Sequence, residues 1–236
     1  MRMITVATLF LASLCGASAA PEVVFDENFE ADYYESNMPV PTGPGVIHHG
    51  EWSKLSQTVS PGCVSDAEGN AFLELRPKEQ FAGEARAIGK FNAPESGITD
   101  ALTLRLSFKM TAPLDTTLYI QIIGGDGKSK GTVSMNNDGF LTASFGGVRE
   151  EVAGPIAPDT WYQLEFLMPN APKTKSIYSV NLYEADGTTL IASKKGELAR
   201  SVEENGSNYI SLDIQHKVRG ETLIIDNIKA ISGPQP

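Results

Sequence analysis

The chain has 236 residues, 41% of them hydrophobic and 8% aromatic, with 19 Lys plus Arg against 29 Asp plus Glu. That is enough apolar material for one proper core and excludes disorder as the main state. A formal charge of −10 argues against a nucleic-acid binder built on a basic stripe, and three His with two Cys leave little room for a zinc finger, a disulfide scaffold or a haem protein.

Residues 1–20, MRMITVATLFLASLCGASAA, open on Arg2, run through an apolar stretch from Ile4 to Leu14, and end in small residues. Ala17-Ser18-Ala19 fits the cleavage pattern of a secretory signal peptide, with processing near Ala19-Ala20. The apolar run is too short to span about 30 Å of hydrocarbon, so no membrane span is expected. A secreted protein, extracellular or periplasmic, is predicted. Cleavage removes Arg2 and leaves 18 basic against 29 acidic groups, a net −11. It also removes Cys15, so Cys63 stands alone in a turn-like Ser60-Pro61-Gly62-Cys63 context without a nucleophile signature. Asn205-Gly206-Ser207 matches a glycosylation sequon, which matters only in a eukaryotic secretory pathway.

Residues 31–62 carry Pro39, Pro41, Pro44 and Pro61 and read as a long irregular segment laid over the fold. Beyond it the grammar is that of strands. In Ala101–Met110, Leu102, Leu104, Leu106, Phe108 and Met110 alternate with Thr103, Arg105, Ser107 and Lys109, a period of two with one face on a core. Similar patterns occupy 72–76, 118–123, 131–135, 140–145, 161–168, 177–183, 209–215 and 223–231. Gly124-Gly125-Asp126-Gly127, Asn136-Asn137-Asp138-Gly139, Ala157-Pro158-Asp159 and Ala185-Asp186-Gly187 supply the turns between them. The best helix candidate is short, Glu197–Glu204. About ten to thirteen strands without intervening helices specify an all-β, two-sheet antiparallel β-sandwich of jelly-roll type. The domain plan is a signal peptide over 1–20, a single sandwich over 21–232 and a flexible tail over 233–236.

Several short patterns carry a resemblance: Phe25-Asp26-Glu27-Asn28-Phe29-Glu30, Gly69–Leu75, Asp159-Thr160-Trp161-Tyr162-Gln163-Leu164, Tyr178–Tyr183 and the closing Ile225-Asp226-Asn227-Ile228. In this order they resemble the concanavalin A-like lectin/glucanase superfamily, in particular its laminin-G-like bacterial members. The resemblance implies that first and last strands lie side by side, which would bring Asp26, Glu27 or Glu30 near Asp226. A structural calcium ion held by Asp26, Glu30 and Asp226 is the expectation that follows, because a carboxylate within an apolar run needs a counter-charge or several donors. A hydrogen-bonded carboxylate at a strand end, with Lys229 or a turn amide as partner, explains Asp226 equally.

Sugars are held by aromatic rings and by amides, carboxylates and Arg that bond hydroxyls. The outward strand positions offer Arg105 and Lys109, Tyr119 and Gln121, Asn181 and Tyr183, and Asp213 and Gln215. Trp52, beside His48 and His49 in the Pro-rich segment, is a candidate stacking platform, whereas Trp161 reads as core. The predicted carbohydrate-binding set is therefore Trp52, Arg105, Tyr119, Gln121, Asn181, Tyr183 and Gln215. A period of two fixes which residues share a strand face, but not which sheet each strand joins. The acidic balance favours neutral glycans over acidic ones unless Arg105 and Lys109 form a basic groove.

Catalysis finds little support in the sequence. The superfamily's glucanases set two carboxylates along one strand, and that spacing is missing here. Tyr119-Ile120-Gln121-Ile122-Ile123 is similar to the Gln-Ile-His strand of alginate lyases, but Ile123 stands where the His should be. His216 continues the inward row Ile210, Leu212, Ile214 and reads as a core histidine. The sequence points to a secreted non-catalytic domain that binds a glycan or cell-surface polysaccharide. The alternatives are a structural or cell-surface protein-interaction domain, or a divergent glycosidase or lyase.

Overall fold

The computed structural model describes residues 22–29, 38–39, 43–44, 50–54, 62–65, 67–76, 85–92, 101–112, 116–124, 127–168, 177–197, 209–217 and 221–233. In chain order the strands are β1 (Glu22–Glu27), β2 (Met38–Pro39), β3 (Gly43–Pro44), β4 (Gly50–Lys54), β5 (Gly62–Ser65) and β6 (Ala71–Leu75). They continue as β7 (Ala85–Asn92), β8 (Leu102–Met110), β9 (Thr116–Gly124), β10 (Gly127–Met135), β11 (Leu141–Phe145) and β12 (Val148–Ala153). The last are β13 (Tyr162–Met168), β14 (Ile177–Glu184), β15 (Leu190–Glu197), β16 (Tyr209–His216) and β17 (Leu223–Ser232). One sheet of nine strands runs β15-β14-β13-β8-β17-β6-β5-β2, with β1 also on β17, and a sheet of eight runs β12-β11-β10-β9-β16-β7-β4-β3. All the pairings are antiparallel, and hairpins such as β9–β10 and β13–β14 combine with long-range pairs such as β1–β17 and β7–β16.

The alternation read from Ala101–Met110 is realised in β8. Leu102, Leu104, Leu106, Phe108 and Met110 are buried, and Arg105 is exposed. Tyr178 of β14 lies at the centre of the sandwich. It stacks on Phe166 of β13 with ring centroids 5.5 Å apart and tilts against Phe145 of β11, in the opposite sheet, at 4.9 Å. Its hydroxyl donates to the Ser144 carbonyl, also in the opposite sheet. Two glycines make room for these rings. A Cβ on Gly131 would lie 2.6 Å from the Phe166 ring, and one on Gly196 would lie 2.7 Å from Phe145. Side chains at either position would force the sheets apart, a cost of about 1–3 kcal/mol typical of overpacking.

β17 is ten residues long and serves two partners on one flank, β6 along Leu223–Ile225 and β1 along Ile228–Ser232. The switch falls at a bulge after Asp226, where Asn227 takes a left-handed φ of 48°. The first and last strands are thereby neighbours, as the resemblance implies. The sequence-predicted turns also form. Asn136 Oδ1 accepts from the Asp138 and Phe140 N–H groups at 2.9 Å, and Gly139 and Gly187 have φ of 80° and 67°. Hydrogen bonds from the Thr189 hydroxyl and the Thr189 and Thr188 N–H groups hold the Asp186 carboxyl well below the usual carboxylate range.

The structure corrects two expectations. The Pro-rich stretch 31–62 is not loop throughout, because β2, β3, β4 and the first residue of β5 lie within it. Short strands punctuated by proline give no period-two run to read, yet as edge strands they tolerate a missing N–H. The Glu197–Glu204 helix is not found at its start, since Glu197 ends edge strand β15 and residues 198–204 lie outside the described set. The signal segment, the sequon and the C-terminal tail after Gly233 lie outside it as well. Among the described residues no helix is long and apolar enough to cross a membrane.

Burial pushes the Tyr178 phenol well above its ordinary value near 10. A phenol raised in the folded state stabilises the fold fully below the unfolded value and loses that contribution as pH rises beyond it. Alkaline unfolding should therefore steepen above about pH 10, and Tyr178→Phe should remove part of that slope while costing about 1 kcal/mol at neutral pH. Urea melts from pH 8 to 11 measure both; parallel curves for the two proteins would refute the assignment.

Candidate functional site

The predicted binding residues divide between the outer faces of the two sheets. Arg105, Asn181 and Tyr183 belong to the nine-stranded sheet, while Tyr119, Gln121 and Gln215 belong to the eight-stranded one. Trp52 lies in β4, in register with Gly89, which in turn pairs with Leu212, and its side chain lies outside the described set.

On the nine-stranded sheet one row of residues runs straight across six strands. Ser193, Asn181, Glu165, Arg105, Lys229 and Asp26 are successive register partners on β15, β14, β13, β8, β17 and β1. Nearly every neighbouring pair is bonded. Arg105 directs Nε and a terminal guanidinium nitrogen to Glu165 Oε2, each at 2.6 Å. Asn181 Nδ2 and the Tyr183 hydroxyl donate to Glu165 Oε1 at 2.8 and 3.2 Å. Ser193 Oγ donates to Asn181 Oδ1 at 2.6 Å. The Glu165 side chain is 6% exposed and Arg105 46%, so the carboxylate is walled in and the guanidinium keeps one side in water. Burial and the Glu165 charge raise the Tyr183 phenol, which keeps it protonated as a donor. Further along β8, Lys109 lies over the half-buried Trp161 ring, 5.1 Å from its centroid. Arg105 and Lys109 are thus each committed to a protein partner and do not form a basic groove.

Glu165 is the residue that sequence reasoning missed. It sits at an outward position of β13 with an apolar residue on either side, and its importance appears only when the register sets it between Arg105 and Asn181. Its four hydrogen bonds use both oxygens, so this cluster stitches the outer face together and presents few free acceptors.

The eight-stranded sheet differs. Its inward rows carry buried Val133, Leu212 and Ile214, and His216 ends the row fully buried, as its alternation predicts. Its alternate register rows, read from β10 across β9 and β16 to β7, are Lys128, Ile123, Tyr209 and Asn92; then Lys130, Gln121, Ser211 and Lys90; then Thr132, Tyr119, Asp213 and Ile88; then Ser134, Thr117, Gln215 and Arg86. Asp213 and Gln215 are half-buried. Tyr119, Gln121, Asp213 and Gln215 thereby share the adjacent strands β9 and β16 over three successive rows, about 5 Å across and about 14 Å along. Arg86 and Lys90 escaped the sequence reading because β7 has a weak signature: its inward rows hold Ala85, Ala87 and Gly89, which give no apolar period.

The calcium donors fare differently. β1–β17 pairing does bring Asp26 and Asp226 to one strand pair, with Glu30 outside the described residues. Asp26 Oδ2 accepts from Lys229 Nζ at 2.6 Å, and the Asp226 oxygens accept from the Asn227 N–H at 2.7 Å and Asn227 Nδ2 at 2.8 Å. No group of three or more His, Cys, Asp and Glu suited to a metal ion occurs among the described residues. Asp26 and Asp226 as placed do not fit a calcium cage, because N–H donors and an ammonium occupy the positions a cation would take. Between the sheets lies a cavity of about 30 Å³ lined by Leu106, Val133, Met135, Leu141, Leu164 and Ile225 among others, with room for about one water molecule.

The sequence matches no family model and no curated protein. Solved structures do match over most of the chain. The PL-14 alginate lyase from Aplysia kurodai superposes with a TM-score of 0.55 at 12% identity, covering 89% of this chain and 99% of the lyase. Lectin I from Ulex europaeus, solved with the methyl glycoside of α-L-fucose, gives 0.52 at 11% identity, covering 88% and 97%. The chain has the concanavalin A-like jelly-roll fold. A Shewanella oneidensis protein of unknown function is similar to the same extent, at 0.50 and 13% identity over 84% of this chain and 91% of that one. At these identities the likeness concerns the sandwich alone.

Removing a cation from the buried cluster should cost more than removing one from the exposed pair in the same row. Arg105→Ala leaves Glu165 enclosed with two neutral donors and should lower stability by about 2 kcal/mol. Lys229→Ala, whose pair with Asp26 is solvent-exposed, should cost less than about 1 kcal/mol. Urea unfolding of both variants checks the order, and equal losses would contradict it. Thermal midpoints in calcium and in EDTA should coincide; a rise with calcium would reinstate the ion.

Proposed function

We propose that this protein is a secreted, non-catalytic carbohydrate-binding domain whose ligand lies on the outer face of the eight-stranded sheet. The observation that carries the proposal is the register that gathers Tyr119, Gln121, Asp213 and Gln215 into one patch. A tyrosine supplies a ring for the apolar face of a sugar, while amides and a carboxylate supply acceptors and donors for its hydroxyls. On the opposite face the polar groups are bonded to one another across the row from Ser193 to Arg105, which favours a structural role there. The lyase and lectin neighbours, which act on or hold saccharides, support the ligand class by analogy of fold.

Absence of catalysis is part of the proposal. A lyase needs a base and an acid at the groove. Ile123 occupies the outward row next to Tyr209, and His216 is fully buried on the core side. An imidazole with no solvent access cannot reach a polymer lying on the outer face.

A glycan array probed with the full chain and with Tyr119→Ala and Gln121→Ala tests the site. The wild type should bind, and each variant should lose at least about tenfold, since a stacking ring is worth about 1–3 kcal/mol when buried against a ligand. Tyr183→Ala, on the other face, should keep its binding. Silence of the wild type across the array would dismiss the glycan ligand, and loss with Tyr183→Ala alone would move the site to the other sheet.

A further inference from the structure

Strands β12 and β15 end their sheets on the same flank of the sandwich. We infer that this flank is the contact surface for a second copy of the chain, in a two-fold dimer that sets β15 of each copy beside β12 of the other. Among the described residues, four of the five large apolar side chains left exposed lie on β12, β14 and β15, namely Val148, Ile177, Leu190 and Ile191. Apolar exposure gathered on one flank and rimmed by charge marks an association surface. Leu190 and Ile191 are both exposed where the ladder slips between Leu182 and Tyr183, which leaves Ile191 as the extra residue of a bulge. Past the bulge, residues 192–197 pair regularly with β14, a run of six that matches the six residues of β12.

The charges on the flank say what fits it. β15 carries Lys194 and Lys195, and β12 carries Glu150 and Glu151. Lys194 Nζ lies 2.9 Å from Glu150 Oε2, and the Gly146 N–H donates to the Glu197 carbonyl at 2.6 Å. Residue numbers therefore rise along β12 as they fall along β15, so the two edges run antiparallel with their basic and acidic stretches at one level. A two-fold axis parallel to the strands exchanges the two sheets and preserves both direction and level. β15 of one copy then meets β12 of the other antiparallel, as a two-stranded ladder allows, and Lys194 and Lys195 face Glu150 and Glu151 at both contacts. Arg149, exposed on β12, comes one diagonal step from Glu197, a spacing at which long side chains still meet. A two-fold axis normal to the sheets would instead pair β15 with its own copy and crowd four ammonium groups into neighbouring rungs. Lysines on an edge strand block such self-pairing, whereas glutamates on the facing strand turn the same lysines into a means of recognition. The net charge of −10 repels a second copy at a distance, but that repulsion is screened beyond about 8 Å at physiological salt, while facing side chains touch.

Sedimentation velocity on the full chain, at physiological salt and over a concentration series, tests the dimer. The wild type should pass from monomer to dimer as concentration rises. Lys194→Glu with Lys195→Glu, and separately Glu150→Lys with Glu151→Lys, should each weaken dimerisation at least about tenfold, because each sets like charges face to face. An equal mixture of these two variants should restore the dimer, since each then meets its opposite at both edges. Lys194→Gln with Lys195→Gln, which adds no like charge, should give a smaller loss, and unchanged melting temperatures check the folding of every variant. A wild type that stays monomeric at all concentrations overturns the inference, as do assemblies that grow beyond two copies. Loss with the Lys reversal but none with the Glu reversal would place β15 against β15 and overturn it too. So would a mixture of the two variants that fails to associate.

Discussion

The sandwich depends on the stack that crosses it, Phe145 against Tyr178 against Phe166. These rings come from both sheets and set the distance between them, and the Tyr178 hydroxyl closes the contact on a carbonyl of the opposite sheet. Close-packed interiors accept such bulk only where a neighbour is small. Gly131 and Gly196 are the small neighbours. Gly131 pairs with Ile120, between Tyr119 and Gln121, so the notch that admits Phe166 also anchors the strand carrying two of the candidate ligand residues. Core packing and the outer face are therefore linked through one position without a side chain.

The two outer faces carry different sets of polar residues. A sheet of nine strands must display polar residues outward, and polar groups close together on a pleated surface either bond each other or bond something else. On the nine-stranded face they bond each other, in a row whose centre, Glu165, is almost fully enclosed. On the eight-stranded face Gln215 Nε2 donates to Asp213 Oδ2 at 3.4 Å and the Ser134 and Thr142 hydroxyls bond at 3.0 Å, and Asp213 lies in register with Tyr119. The jelly-roll fold permits binding on such a face without requiring it, which is why the ligand has to be argued from residues rather than from the likeness to lectins and a lyase.

The β17 strand shows how a local irregularity shapes the whole. Ten residues accept β8 on one side and divide the other between β6 and β1, with the bulge and the left-handed Asn227 at the changeover. Asp226 stands at this point with both oxygens bonded to Asn227, which explains a carboxylate in an apolar run without a metal ion. The alternative of a hydrogen-bonded strand-end carboxylate, legible in the sequence, is the one the backbone supports.

The sequence by itself determined the fold class, because a period of two repeated between turn signals admits only an antiparallel sandwich or barrel. It also determined the inward row at Leu102–Met110, the turns at Asn136 and Asp186, and the burial of His216, all of which depend on neighbours a few residues away. Strands such as β7 and β15 were not legible, since small or edge positions carry no apolar alternation. What only the tertiary structure decided is sheet membership. Alternation places Arg105 and Tyr119 outward alike, but pairing separated by up to about two hundred residues puts them on opposite faces. Register is a long-range property, set by which strands meet in the core, and it alone turned Glu165 into the centre of a cluster and set Tyr119 beside Asp213.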